Sequence, residues 1–413
     1  MFFHKEVKAR LGFLIGWFFH KFTLMKILPQ EILLDILTLL PTRSIGRCRC
    51  VSKSWQHLLT QPAFIRSHLC RTKHLTENEL LMLDAGESTQ SDSDALYTAS
   101  IHCHLPDEIT VLSTKLTFAA KFELLSGGLP SCDGLILLAD DAKRTLLVNP
   151  TTKEVRELPV PSHTFDSFHR YALYGLGYDH VNDDYKVVSP SYYHTKHELV
   201  MVAMVVHVYS VRNGTWKDVD NSLYEPCCVR QGTQKKVESF TFELSYSACV
   251  TGVFVDGSLH WVATDTTNPS SIIVGFDLTE ENLRIIPGPR SVYDIDLTYD
   301  IVGKLGGCLC MLSVLPTKET NIWVMKEYGV EQSWTKLTIV GGVSEYVPII
   351  CVPGRREVVM VKDDTEHEEW VIYNLDSATF KGITIQGAMC AHFGGCFRET
   401  LVSPYYNHDP QRA

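Results

Sequence analysis

The densest ligand-like cluster in the chain is His102-Cys103-His104, where strand alternation would place both histidines on one side. A structural zinc ion needs four such donors, and no second ligand pair at suitable spacing follows. The thirteen cysteines are single or close neighbours (Cys48 and Cys50, Cys227 and Cys228, Cys308 and Cys310), without CxxC pairs. This pattern predicts reduced thiols, no disulfide framework and no metal. Acid–base chemistry finds as little support. His367-Glu368-Glu369 lacks the second histidine of a zinc-protease helix, and neither a GxSxG elbow nor a P-loop occurs. The acid pairs Asp183-Asp184 and Asp363-Asp364 suit hairpin turns better than paired general acids. Cys228, near Arg230, is kept as a candidate thiolate, and a catalytic β-propeller is kept as the rival reading. The expectation is a chain without catalytic residues or cofactor.

The elements that carry these residues fall into contrasting parts. A chain of 413 residues suggests two modules or one large repeat-built domain. With 45% hydrophobic and 21% charged residues it has enough apolar surface to fold. Residues 26–73 hold eight Lys/Arg against Glu31 and Asp35, a balance of +6. Residues 74–413 hold 26 Lys/Arg against 45 Asp/Glu, a balance of -19, which argues against nucleic acid as a partner of the larger part.

Residues 1–24 imitate a signal peptide, because Lys5, Lys8 and Arg10 precede an apolar run from Leu11 to Phe19. The run is too short to span a membrane and has no small-residue cleavage site. Met25 follows it, so this extension is expected to be dispensable, with no membrane partner and a cytoplasmic or nuclear location. Asn213-Gly214-Thr215 reads as a tight hairpin turn rather than a glycosylation site.

From Leu28 the chain reads LPQEILLDILTLLPTRSIGRCRCVSKSWQHLLTQPAFIRSHL. Pro29 suits a first helical turn, Glu31 favours the N-terminal dipole, and Pro41 ends the helix after Leu40. Between them Ile32, Leu33, Ile36, Leu37 and Leu40 recur at helical spacing as one wide apolar stripe. Thr42 and Ser52 are expected N-caps of two further short helices, the second carrying Trp55, Leu58 and Leu59. Phe64, Ile65, His68 and Leu69 share a face of a fourth piece. About 40 residues with this much apolar surface sit near the lower size limit for folding alone, which predicts a partner.

The segment resembles the plant F-box through Leu28-Pro29, Glu31-Ile32, Ile36-Leu37, Leu40-Pro41, Ser44, Arg47, Arg49-Cys50-Val51, Lys53-Ser54-Trp55, Pro62 and Phe64. Gly46 and Cys48 depart from it, where the family usually has Leu and often Phe. The resemblance implies docking to the acidic S-phase-kinase-associated adaptor, and through it to the cullin of an SCF ubiquitin ligase. The implied adaptor-binding residues are Leu28, Pro29, Ile32, Leu33, Ile36, Leu37, Leu40, Pro41, Val51, Trp55 and Leu58.

Beyond residue 74 the pattern becomes one of short strands. A strand–turn–strand motif recurs with turn centres near 151, 213, 279, 328 and 376. Steps of 62, 66, 49 and 48 between them fit a propeller-like period of roughly 40–50 residues with two insertions. Further strand-like stretches precede each motif, an earlier unit lies around 79–86 and 95–102, and ETLVSP (399–404) is a candidate closing strand. About six four-stranded units are expected. CDGLILL, VNPTTKEVRELP, YGLGYDHVNDDYKVV, VHVYS with Trp216, FVDGSLHWVA and IVGFDL resemble, in that order, the plant F-box-associated interaction domain, which is related to kelch propellers. The expected architecture is therefore mainly β with an N-terminal α-helical F-box (25–73), followed by a β-propeller-like domain (74–413). What the resemblance implies is a receptor that binds an unknown target protein for ubiquitination. The expected target contacts lie on two insertion loops, 189–197 with Tyr192, Tyr193 and His194, and 221–238 with Tyr224 and Arg230.

Overall fold

The computed structural model describes residues 29–72, 79–85, 95–99, 109–115, 129–139, 144–161, 168–195, 201–219, 240–242, 251–265, 271–289, 300–314, 320–339, 346–352, 357–363, 368–386 and 391–406. Leu28, the His102 cluster, Tyr224, Cys228, Arg230, His367 and the amino-terminal extension lie outside them. Two compact units divide between Leu75 and Thr76.

The first unit is four short helices, α1 (Gln30–Thr38), α2 (Thr42–Arg49), α3 (Lys53–Leu59) and α4 (Pro62–Thr72). Ser52 caps α3 as expected, its Oγ accepting the Trp55 N–H at 3.2 Å. At α2 the cap position belongs to Pro41 and Thr42 is the first helical residue, so the helix starts one place earlier than expected. Proline, with its φ fixed and no N–H to satisfy, fits a position preceding the first turn. Leu33, Leu37, Leu40, Ile45, Cys48, Leu59, Phe64 and Ile65 are buried.

The second unit is a chain of antiparallel meanders. First come β1 (Glu79–Ala85), β2 (Ala95–Ala99) and β3 (Ile109–Lys115), then β4 (Ser131–Cys132), β5 (Leu135–Ala139), β6 (Thr145–Asn149) and β7 (Glu154–Leu158). The third meander holds β8 (Phe168–Ala172), β9 (Tyr174–Asp179), β10 (Asp184–Thr195), β11 (Met201–Ser210) and β12 (Thr215–Val219). The fourth holds β13 (Phe240–Phe242), β14 (Thr251–Val255), β15 (Ser258–Asp265), β16 (Ser271–Asp277) and β17 (Asn282–Ile286). β18 (Asp300–Leu305), β19 (Cys308–Val314), β20 (Thr320–Met325) and β21 (Trp334–Ile339) form the fifth, and β22 (Tyr346–Val352), β23 (Glu357–Asp363), β24 (Glu368–Asn374) and β25 (Thr379–Gln386) the sixth. Finally β26 (Ala391–Arg398) returns to pair antiparallel with β1, which completes the first meander as a four-stranded blade.

The six blades follow one another as in a propeller. Their first strands are neighbours in the order β26, β4, β9, β14, β18 and β22, with β9 and β14 paired in parallel through Gly175 and Gly252. The sixth blade joins the first through parallel pairing of β25 with β3. Apolar side chains fill the spaces between blades. Val188, Val206 and Val208 of the third pack with Leu259, Trp261, Val274 and Phe276 of the fourth, and Ile322 and Val324 of the fifth with Val358, Met360 and Tyr373 of the sixth. Closure falls to 391–398 rather than to the expected ETLVSP. That sequence, with proline at 404, continues past the strand as an irregular segment.

The turns obey a rule that the sequence carries openly. Asp133-Gly134, Asp256-Gly257 and Gly306-Gly307 have positive φ at both central residues, the type I′ geometry matched to strand twist. The outer hairpins of blades two, four and six and the inner turn of blade three share another device: Asn149, Asp277, Asn374 and Asp179 each accept, through Oδ1, the N–H groups two and three residues on. Asp183 and Asp184 thus serve a turn, as expected. Asp183 takes φ 51 and Asp184 accepts the Arg212 N–H at 2.9 Å. Gly177 and Gly252 are needed for close approach, because a Cβ would come 2.6 Å from Leu278 and Phe254 in the first case and 2.5 Å from the Trp261 indole in the second. The tryptophans pack within and between blades: Trp261, Trp334 and Trp370 are buried, and Trp216 and Trp334 each donate Nε1–H to the carbonyl of a proline after the outer strand of the preceding blade, Pro159 and Pro287.

At the junction of blades four and five, His260 is buried with a defined tautomer. Its Nδ1–H donates to the Val253 carbonyl at 3.0 Å, so Nε2 accepts the Tyr328 hydroxyl at 2.8 Å, and the Tyr328 oxygen accepts Arg284 Nη2 at 3.1 Å. Burial pushes the imidazole down to about 4 from the ordinary 6.5, with Arg284 adding to the shift and the Val253 bond opposing it. Below about 6.5 the unfolded chain takes up a proton that the folded chain excludes until about 4, so stability is full above this window and lost on acidification through it. We expect this residue to contribute about 3 kcal/mol of destabilisation across the window. Denaturant midpoints between pH 7 and 4.5 should fall less steeply for His260→Gln. Parallel pH profiles for the two chains would refute the assignment.

Candidate functional site

Helix α1 starts at Pro29, whose φ of -54° and ψ of 142° turn the chain into the helix without a side-chain cap. Its apolar stripe divides in two. Leu33, Leu37 and Leu40 face inward, 9%, 3% and 4% exposed, whereas Ile32, Ile36 and Leu39 are 48%, 41% and 62% exposed. The outward set recurs at i, i+4 and i+7, a single helical face. Leu39 joins this face without having been expected there. The single wide stripe read from the sequence is therefore corrected: a 3.6-residue period does not distinguish the buried part of an aliphatic stripe from the exposed part.

The inner face is fixed by polar bonds at the helix ends. His68 of α4 is buried and donates Nε2–H to the Leu40 carbonyl at 2.8 Å, satisfying an acceptor beyond the end of α1. Burial holds this imidazole below its ordinary range, against the Leu40 bond and with help from Arg49, so it serves as a neutral donor. Arg71 reaches Asp35 at 3.0 Å across the surface, an exposed pair worth at most about 1 kcal/mol. Arg49 Nη2 donates to the Leu59 carbonyl at 2.9 Å, joining α2 to the end of α3.

The remaining adaptor-binding candidates are placed as follows. Pro29 and Pro41 are exposed at the two ends of α1, and Val51, Trp55 and Leu58 are half-buried. Gly46 has open space where a side chain would stand, while Cys48 is buried, and burial pushes its thiol up. The two departures from the F-box pattern thus differ in kind: one trims the surface and the other the core.

The target-binding candidates fare differently. Residues 189–195 are strand rather than loop, because β10 runs on to Thr195 and pairs on both sides, with Met201–Val205 of β11 and with β8. Tyr192, Tyr193 and His194 stand in this ladder, at register with Met204, Ala203 and Met201. Valines and tyrosines favour strands, which outweighs the insertion-like spacing. Sequence reading also missed a buried ion network between blades three and four. Lys186 Nζ donates to Asp179 Oδ2 and Glu281 Oε1, each at 2.8 Å, and to the Leu278 carbonyl at 2.5 Å. A lysine inside the run YKVV was the available signal. Among the described residues no three His, Cys, Asp or Glu side chains gather as metal ligands, and no helix is long and apolar enough to cross a membrane.

The profile of the F-box associated beta propeller domain matches residues 88–408, and one described as F-box-like matches residues 25–72. F-box protein CPR1 of Arabidopsis thaliana is 29% identical over 92% of this chain and 89% of its own length. The Arabidopsis F-box/kelch-repeat protein At3g23880 is 26% identical over 78% of this chain and 81% of its own. Among solved structures, TolB from Acinetobacter baumannii is similar over 82% of this chain and 71% of its own at 8% identity, with a TM-score of 0.43 that is too low to bear on the fold. A helical F-box followed by six blades of four or five strands makes this chain a member of the plant F-box proteins with an F-box associated beta propeller domain, a family of substrate-recognition subunits.

Proposed function

We propose that this chain is the substrate-recognition subunit of an SCF-type cullin-RING ubiquitin ligase, without catalytic residues of its own. The outward face of α1 binds the S-phase-kinase-associated adaptor and through it the cullin, and the propeller holds the target. One observation carries the reading: Ile32, Ile36 and Leu39 present large aliphatic side chains to solvent on one helical face, which a helix stabilised only by its own unit would not need. The exposed bases Arg43, Arg47, Lys53 and Arg66 suit an acidic adaptor. Function is then positional, raising the effective concentration of a target lysine near a ubiquitin-charged enzyme.

We place the target at one end of the propeller. Consecutive antiparallel strands reverse direction, so the connection from β10 to β11 and the one from β12 to β14 leave from the same end. Tyr192, Tyr193 and His194 approach that end along β10, and Tyr224 and Arg230 belong to the second connection. We assign target contact to these residues, and place the protein in cytoplasm or nucleus.

The test is to co-express the full chain with tagged adaptor and follow the half-lives of co-purifying proteins with and without proteasome inhibition. Adaptor capture and a partner stabilised by the inhibitor are expected. A captured partner whose lifetime never changes would make the chain a scaffold, and substrate turnover by the purified chain alone would make it an enzyme.

A further inference from the structure

After β26 the chain does not leave the propeller. The Asn149 side chain donates Nδ2–H to the carbonyls of Thr400 at 3.2 Å and Val402 at 2.6 Å, and Thr400 Oγ1 donates to the Asp133 carbonyl at 2.6 Å. Arg156, buried in the outer strand of blade two, donates to the Pro404 carbonyl at 3.3 Å and to the Val211 carbonyl at 2.9 Å. Tyr405 donates to the Val155 carbonyl and lays its ring against the Arg156 guanidinium at 5.3 Å. Tyr406 then crosses to blade three, donating to Asp183 at 2.8 Å with its ring edge-on to Tyr185. Thr400, Leu401, Val402 and Tyr406 are buried.

We infer that residues 399–406 form a latch, distinct from the strand that closes blade one, which clamps the ring seam by tying blade one to blades two and three and is held by the Asn149 amide. Two observations make Asn149 its key. The turn that begins there needs only an acceptor oxygen, and the equivalent turn of blade four uses Asp277. Blade two has the amide there instead, and its extra Nδ2–H donor is what reaches the latch. Its contacts on Asp133 and Asp183 put the latch at the end of the propeller opposite the connections assigned to target contact. It can therefore lift without disturbing them.

Asn149→Asp in the full-length chain is the direct test, since it preserves the turn but sets a carboxylate against two carbonyls. Hydrogen–deuterium exchange should accelerate about tenfold or more in residues 401–406, β26 and β4–β6, with blades four and five within about twofold of the parent. Asn374→Asp, the same exchange at the equivalent turn of blade six, should leave residues 401–406 as in the parent. Tyr406→Phe, which removes one hydroxyl from the latch, should raise exchange at the same sites by a smaller factor of about threefold. Parent-like exchange of residues 401–406 in both Asn149→Asp and Tyr406→Phe would overturn the latch, as would a rise spread evenly over all blades.

Discussion

Replacing Ile32 and Ile36 together by Asp should weaken adaptor binding at least about 100-fold, roughly 3 kcal/mol, while both units stay folded. In the free chain the new carboxylates face water, because both positions are among the most exposed aliphatic sites of the F-box. In the complex they would meet an apolar contact without partners, and an uncompensated charge there is among the costliest changes available. The obvious alternative, a pair containing Leu33, would confuse two effects, since Leu33 belongs to the unit's own buried set. Leu37→Asp, 3% exposed, is the matching control and should unfold the F-box outright. Pull-down with tagged adaptor, read beside the thermal melt of the full chain, decides the matter. Undiminished capture by the Ile32/Ile36 variant would remove this face from the interface.

Much of this architecture is legible in the amino-acid sequence. Asp-Gly and Gly-Gly steps announce the inner turns, and hairpins at near-regular spacing announce the blades, because turn chemistry is local and survives in a single sequence. The division of α1 into two faces is not legible, since leucine and isoleucine satisfy either face equally. The closing strand lies several residues earlier than its sequence pattern suggests, for a similar reason. AHFGGCFR (391–398) has two glycines and little apolar alternation, and its strand character comes from pairing with β1 rather than from propensity. Contacts such as Asn149 with Val402 or Lys186 with Glu281 join residues far apart in sequence, and neither composition nor period reports them.

Lys186→Met should cost about 3–5 kcal/mol at neutral pH, the range for breaking a buried ion pair by removing one partner. The substitution keeps the unbranched stem and deletes the ammonium that ties Asp179, Glu281 and the Leu278 carbonyl together. Glu281 retains Lys217 at the surface, so the loss falls mainly on Asp179, whose side chain is fully buried. Burial opposes the charge on Asp179, yet hydrogen bonds from Asn182, Lys186 and Thr279 outweigh it and hold this carboxyl well below its ordinary 3.8. Burial likewise opposes the charge on Lys186, and Asp179 and Glu281 hold the ammonium above its ordinary 10.5. Asp179 contributes stability above the unfolded value near 3.8 that is lost as pH falls toward its lower folded value. Lys186 contributes stability below about 10.5 that is lost as pH rises through its higher folded value. The difference between parent and variant should thus be widest from about pH 5 to 9 and narrow on acidification below about 4, where the parent loses what the variant no longer has. Adding Asp179→Asn to Lys186→Met should recover part of the stability, because the neutral amide no longer needs a counter-charge and still accepts the turn N–H groups. Urea unfolding of the four chains at pH 7 and pH 3.5 supplies the cycle. A single variant within about 0.5 kcal/mol of the parent at pH 7 would show that the ammonium does not hold blades three and four together.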